Sequence, residues 1–188
     1  GRYIYRIVMS KIQKLDQGME VLFQLSSTKF LFVVYAFMCV WSKTVTDTIL
    51  SVSLSIDYVF GFDLRSIYSF KSSADISFIE LAFGAPILET LVFQSVIQNL
   101  MRKITDSIKW SILISAIIFS LCHAPVNVAY ALNAFGLGLA LATIYEYFRA
   151  YRRHKIRGHK IAFSITFGIH AFWNISLTYG LFPDKLMS

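Results

Sequence analysis

Apolar residues run along this chain in long unbroken stretches, not in alternation with polar ones. Residues 21–42 and 45–60 form two such runs, parted by Ser42, Lys43 and a Thr/Asp patch. Ile76–Leu100, Trp110–Cys122, Ala134–Phe148 and Ile161–Leu181 follow. A helix rises about 1.5 Å per residue, so about 20 residues cross roughly 30 Å of hydrocarbon. Ile76–Leu100 and Ile161–Leu181 meet that length directly, Trp110–Cys122 only if it starts near Ile104, and 45–60 is marginal. Continuous runs exclude a barrel, which needs alternation. The expected fold is all-α: a polytopic transmembrane helix bundle of about six spanning helices, with one early crossing left open.

Ahead of these runs, residues 1–20 place Tyr3, Ile4, Ile7, Val8, Ile12 and Leu15 at helical spacing, with Arg2, Arg6, Lys11 and Lys14 between them. This pattern predicts an amphipathic helix, either lying in the head-group plane or extending the first span on the cytoplasmic side. No leader with a cleavage site is expected here. No internal repeat or linker divides the chain, so residues 1–188 read as one membrane-embedded domain whose candidate catalytic helices occupy 76–181.

Composition sharpens this picture. Hydrophobic residues make up 56% and charged ones only 15%, with a mean hydropathy of +0.58. Soluble domains carry nearer a quarter charged residues, which excludes a water-soluble enzyme, a disulfide-rich module and a disordered tail. The net charge of +7 (18 Lys+Arg against 11 Asp+Glu) flanks apolar runs, which suits lipid head groups and topology signals, not nucleic acid. Arg149, Arg152, Arg153, Lys155, Arg157 and Lys160 have no acidic residue among them, so 149–160 is expected to be cytoplasmic. Arg102, Lys103 and Lys109 lie two spans upstream and fall on the same side. Cys39 and Cys122 share no metal-ligand spacing and read as buried thiols. His154 and His159 read as solvated members of the basic loop.

Four polar residues stand inside apolar segments, where burying polar groups is costly: Glu89, His123, His170 and Asn174. His170 and Asn174 are at i and i+4 and share a helix face. Singly, each has a structural explanation, as interhelical glue or a hydrogen-bonded interface group. Together they can converge from three helices. A carboxylate beside an imidazole can take a proton from water, producing a nucleophile for a peptide carbonyl. A second imidazole and a carboxamide can donate to the oxyanion that forms.

The motifs Glu89-Thr90-Leu91-Val92-Phe93-Gln94, Phe119-Ser120-Leu121-Cys122-His123 and His170-Ala171-Phe172-Trp173-Asn174 resemble, in that order, the EExxxR, FxxxH and HxxxN motifs of the CPBP intramembrane proteases. That family includes the type II CAAX prenyl endopeptidases and bacteriocin-processing or immunity proteins. The Gly-rich stretch Phe135-Gly136-Leu137-Gly138-Leu139 is also similar, and the likeness covers about residues 80–180. It implies an integral, multi-pass protein of a bacterial or archaeal cytoplasmic membrane, acting on a membrane-associated protein or peptide. It further implies that Glu89 and His123 activate water, that His170 and Asn174 steady the oxyanion, and that Phe119 packs beside them. The family is glutamate-type, with no metal required. A Glu and two His also have the chemistry of zinc ligands, a minor alternative, although HExxH is absent.

Thr90 and Gln94 depart from the pattern, standing where the family has its second Glu and its Arg. Removing one member of such an ion pair would strand a buried charge at a cost of about 3–5 kcal/mol. Replacing both leaves a neutral pair, able to hydrogen-bond at the same i, i+4 spacing. The departure leaves open a non-catalytic immunity or scaffold protein of the same fold. A proton-coupled carrier is a third possibility, although the inverted repeats common in carriers are not visible.

Overall fold

The computed structural model describes residues 19–61, 77–151 and 157–178. The amphipathic 1–18 segment, His154 and the chain after Thr178 lie outside these residues. After a helical turn at 19–23, five long helical segments follow, and there is no strand among the described residues. They are α1 (Ser27–Phe60), α2 (78–105), α3 (Ile108–His123), α4 (Val128–Tyr151) and α5 (Arg157–Thr178). The expected all-α bundle is what the chain forms.

Two expected early runs are one helix. α1 is continuous over 34 residues. Its Ser42–Lys43 junction holds neither Gly nor Pro, and Lys43 pairs with Asp47 one turn on (Nζ–Oδ2 3.3 Å), which supports the helix where a break was expected. α1 and the segment Val128–Arg149 are long and apolar enough to cross a membrane, while Ile108–His123 is apolar but shorter. Only 17% of α1's most apolar window is buried against 56% for α4, so α1 lies outside and α4 is central. Indeed α4 packs against all four other segments.

Local sequence explains the segment ends. α2 opens with a capping box: Ser77 Oγ accepts from the Glu80 amide (3.2 Å), while Glu80 Oε2 accepts from the Ser77 amide (3.0 Å). It reaches Thr105, where Asp106 takes a left-handed conformation (φ 49°) and reverses the chain. Ser107 caps α3 and Asn127 caps α4, its Oδ1 accepting from the Tyr130 amide at 2.6 Å. These tight connections make α2, α3 and α4 successively antiparallel.

α2 is not a regular α-helix. Glu80–Gly84 and Thr90–Gln98 are π-helical, flanking an α-helical Ala85–Glu89. The first π stretch has a plain cause. Pro86 has no amide hydrogen and its ring crowds the preceding turn, so the chain widens ahead of it and Ala85 N–H bonds back to Glu80 O. In the second, the Phe93 carbonyl accepts a side-chain bond from Ser115 of α3 (2.8 Å).

The core joins α1, α4 and α5. Phe30 stacks on Tyr147 (3.8 Å, 9°), whose hydroxyl donates to Leu25 O (2.7 Å). Small residues let α3 and α4 approach: a Cβ at Gly138 would lie 3.1 Å from Ala116 Cα. Outward, Phe32, Val40, Tyr58 and Ile79 present apolar surface. Cys122 is exposed and Cys39 only partly buried, both free. The Cys122 thiol thus departs from the expected burial, because α3 turns its Phe119–Ala116 face inward and Cys122 away.

Gly136 is the tightest point. A Cβ there would come 2.0 Å from Trp41 Cδ1, and the indole is itself held by a bond to Leu132 O (2.9 Å). Gly136→Ala should therefore destabilise the fold by about 1–3 kcal/mol, as overpacking does. Thermal unfolding should show a melting temperature several degrees lower, about 2–4 °C per kcal/mol.

Candidate active site

Glu89 ends the α-helical turn of α2, between its two π stretches. From there its carboxylate meets two imidazoles. Oε1 lies 3.7 Å from His123 Nε2, at the last residue of α3, and Oε2 lies 3.3 Å from His170 Nε2 on α5. Each oxygen thus faces its own ring. His170 is buried, 1% exposed, whereas the Glu89 and His123 side chains are 25% and 14% exposed. The carboxylate is desolvated on one side and open on the other.

His123 is held from behind. Its Nδ1 bonds the Phe119 carbonyl one turn earlier (2.7 Å), so that nitrogen is the donor and Nε2 is left to face Glu89. The Phe119 ring packs against His123 (4.4 Å) and edge-on to His170 (6.1 Å) and Phe93 (5.0 Å). One buried aromatic therefore sets the position of both histidines. Tyr130, folded back by the turn before α4, lies on the other side of His123 at 5.2 Å.

These groups line a cavity of about 900 Å³. Glu89, His123, His170 and Asn174 all reach its wall, with Trp41 and Tyr130. Of the residues singled out from sequence, the structure brings Glu89, His123 and His170 into direct contact, and places Asn174 and Phe119 on the same cavity. Thr90 and Gln94 are elsewhere: both are fully buried, and neither lines the cavity. The hydrogen bond open to such a pair is not made. Thr90 Oγ1 and both amide atoms of Gln94 have no protein partner. Their helix is π-helical from Thr90 on, so the i, i+4 geometry of a regular α-helix does not hold there. His159, expected in the loop, sits on α5; it is exposed, and its Nδ1 meets the Tyr145 hydroxyl (3.1 Å).

Residues without a sequence signal also build the site. Trp41 comes from α1 with no motif to mark it, and Ser115 ties α3 to the π stretch that follows Glu89. Tyr130 was findable: it follows His123 by seven residues across Pro125 and Asn127, the spacing of a helix–turn–helix. Among the described residues, no group of three His, Cys, Asp or Glu side chains is arranged to hold a metal ion.

The family model of the Rce1-like type II CAAX prenyl endopeptidases matches residues 72–176. The chain belongs to that family. The match agrees with the CPBP resemblance drawn from the three short motifs. The Rce1-like region spans α2, α3, α4 and nearly all of α5, the segments that supply Glu89, His123, His170 and Asn174, and it leaves α1 outside. No curated protein and no solved structure matches the chain. An Rce1-like chain is a membrane protein of a protease family, which agrees with the apolar helices.

Phe119→Ala tests the packing of this site. Losing a buried ring shared by both histidines should lower stability by about 3–5 kcal/mol, read by thermal unfolding. Phe119→Leu, which keeps most of the volume, should recover much of that loss.

Proposed function

We propose that this Rce1-like chain is an intramembrane endopeptidase that hydrolyses a peptide bond of a membrane-associated protein or peptide. The observation that carries the reading is one carboxylate, Glu89, shared between two imidazoles on the wall of a largely apolar cavity. Glu89, assisted by His123, takes a proton from a water molecule. The hydroxide attacks the scissile carbonyl, and the proton passes to the departing amine. His170 and Asn174, one turn apart on α5, donate to the oxyanion. In a site with little bulk water such donors act strongly. The reaction proceeds without a metal.

We further propose five crossings. One continuous α1 makes the number of passes before residue 61 odd, which puts the basic N-terminus and the α2–α3 and α4–α5 connections on the cytoplasmic side. Two early crossings would instead put the basic N-terminus on the side opposite these connections.

A second reading, a non-catalytic scaffold or immunity protein, is favoured by Thr90 and Gln94 in place of the family's ion pair. Cleavage distinguishes the two. Membrane peptides from cells with the wild-type and Glu89→Gln proteins should differ by mass spectrometry in one or more cut products. Glu89→Gln or His123→Ala should lower kcat by about 10²–10⁴-fold. Undiminished cleavage by either variant rejects the mechanism, and a rate abolished by a chelator would establish a metal requirement. For topology, Val126→Cys should react with an impermeant thiol reagent from outside in a Cys39→Ala/Cys122→Ala background. Lys103→Cys should react only after permeabilisation.

A further inference from the structure

Behind the cavity, the packed face of α2 carries polar groups that the proposed chemistry does not use. Thr90, Gln94 and Gln98 recur every fourth residue, and each is fully buried. On α5, which packs against α2, Thr166 and His170 repeat that interval at 0% and 1% exposure. Thr90, Gln94, Gln98 and Thr166 do not line the cavity. Six polar atoms on these residues have no protein partner: Thr90 Oγ1, Gln94 Oε1 and Nε2, Gln98 Oε1, Thr166 Oγ1 and His170 Nδ1. Buried polar atoms are almost always satisfied, and one protein layer that leaves six unpaired would lose a large share of a marginal stability.

The chemistry of the set selects its ligand. Gln94 presents a buried acceptor and a buried donor on one amide. A cation would satisfy Oε1 but be repelled by the Nε2 hydrogens, and an anion the reverse. Water donates and accepts alike, and buried water binds where two to four such partners converge. An apolar filling would satisfy none of them.

We propose that the α2–α5 interface holds a short file of ordered water molecules, bound by Thr90, Gln94, Gln98, Thr166 and His170 Nδ1. The file begins at His170 Nδ1: the ring's other nitrogen faces the Glu89 carboxylate, which accepts from Nε2–H and leaves Nδ1 to accept from the first water. At its far end, Gln98 Nε2 is anchored to Ala142 O (2.9 Å). The neighbouring Asn99 donates to Tyr145 OH (3.2 Å), which meets the exposed His159. The polar line therefore runs from the Glu89 site to the end of the bundle that carries the α2–α3 and α4–α5 connections. Its use as a water supply rests on the proposed hydrolysis; its existence does not.

Thermal unfolding of the purified full-length chain tests the file without reference to catalysis, so its failure and that of the protease reading are separable. Thr166→Val and Gln94→Met keep volume and remove the hydrogen-bonding groups. Bound water predicts that each lowers the melting temperature by about 2–4 °C, and that the double variant loses less than the sum because both disrupt one file. Dry, unpaired groups predict the opposite sign, since an apolar replacement then relieves a penalty. An unchanged or raised melting temperature overturns the proposal. Should either variant fail to fold, a crystal structure of the wild-type protein decides. Water density within hydrogen-bonding distance of Gln94 and Thr166 supports the file, and a dry interface rejects it.

Discussion

A carboxylate withdrawn from water must find partners, and in this chain the partners of Glu89 determine how three helical segments meet. His123 closes α3 and His170 lies within α5, so satisfying the two oxygens of one side chain pins three segments at one depth. Taking an ionised group into a low dielectric is costly unless it is paired and hydrogen-bonded. Paired in this way, it also specifies the arrangement: a shift of either helix by one residue would part an oxygen from its imidazole.

The irregular backbone of α2 belongs to the same constraint. Pro86 forces a wide turn just before Glu89, and the Ser115 bond to the Phe93 carbonyl accompanies another just after. π-Helical turns are rare and gather at functional sites. Here they bracket the five-residue α-helical turn that presents the carboxylate. α3 and α4, joined through small residues at Ala116 and Gly138, form the rigid wall against which that irregular helix is set.

Much of this was legible in the residues. Apolar runs of helical length gave the bundle, and polar residues inside them marked Glu89, His123 and His170, because nothing but a partner makes such placement affordable. Other features were hidden for physical reasons. The supposed break at Ser42–Lys43 is bridged by the ion pair with Asp47, a local contact that mimics a loop in composition. The pairing of Thr90 with Gln94 presumed a regular α-helix, whereas hydrogen-bond register within a helix leaves little trace in residue type. Trp41 reaches the cavity from more than ninety residues before Gly136, a distance no local pattern reports. Glu146 is fully buried and paired with Arg149, three residues on, which donates to it from Nε at 3.1 Å, an i, i+3 spacing present in the residues.

The length of α1 has a mechanical corollary. As the single early crossing proposed above, a rod of 34 residues extends about 51 Å against a hydrocarbon layer of about 30 Å, so it leans or carries its last turns into the head groups. Trp41 is fixed to that rod and forms one side of the chamber that Glu89 faces. Inclination of the rod and width of the chamber are geometrically coupled, and the thickness of the surrounding bilayer becomes one of the dimensions of the pocket.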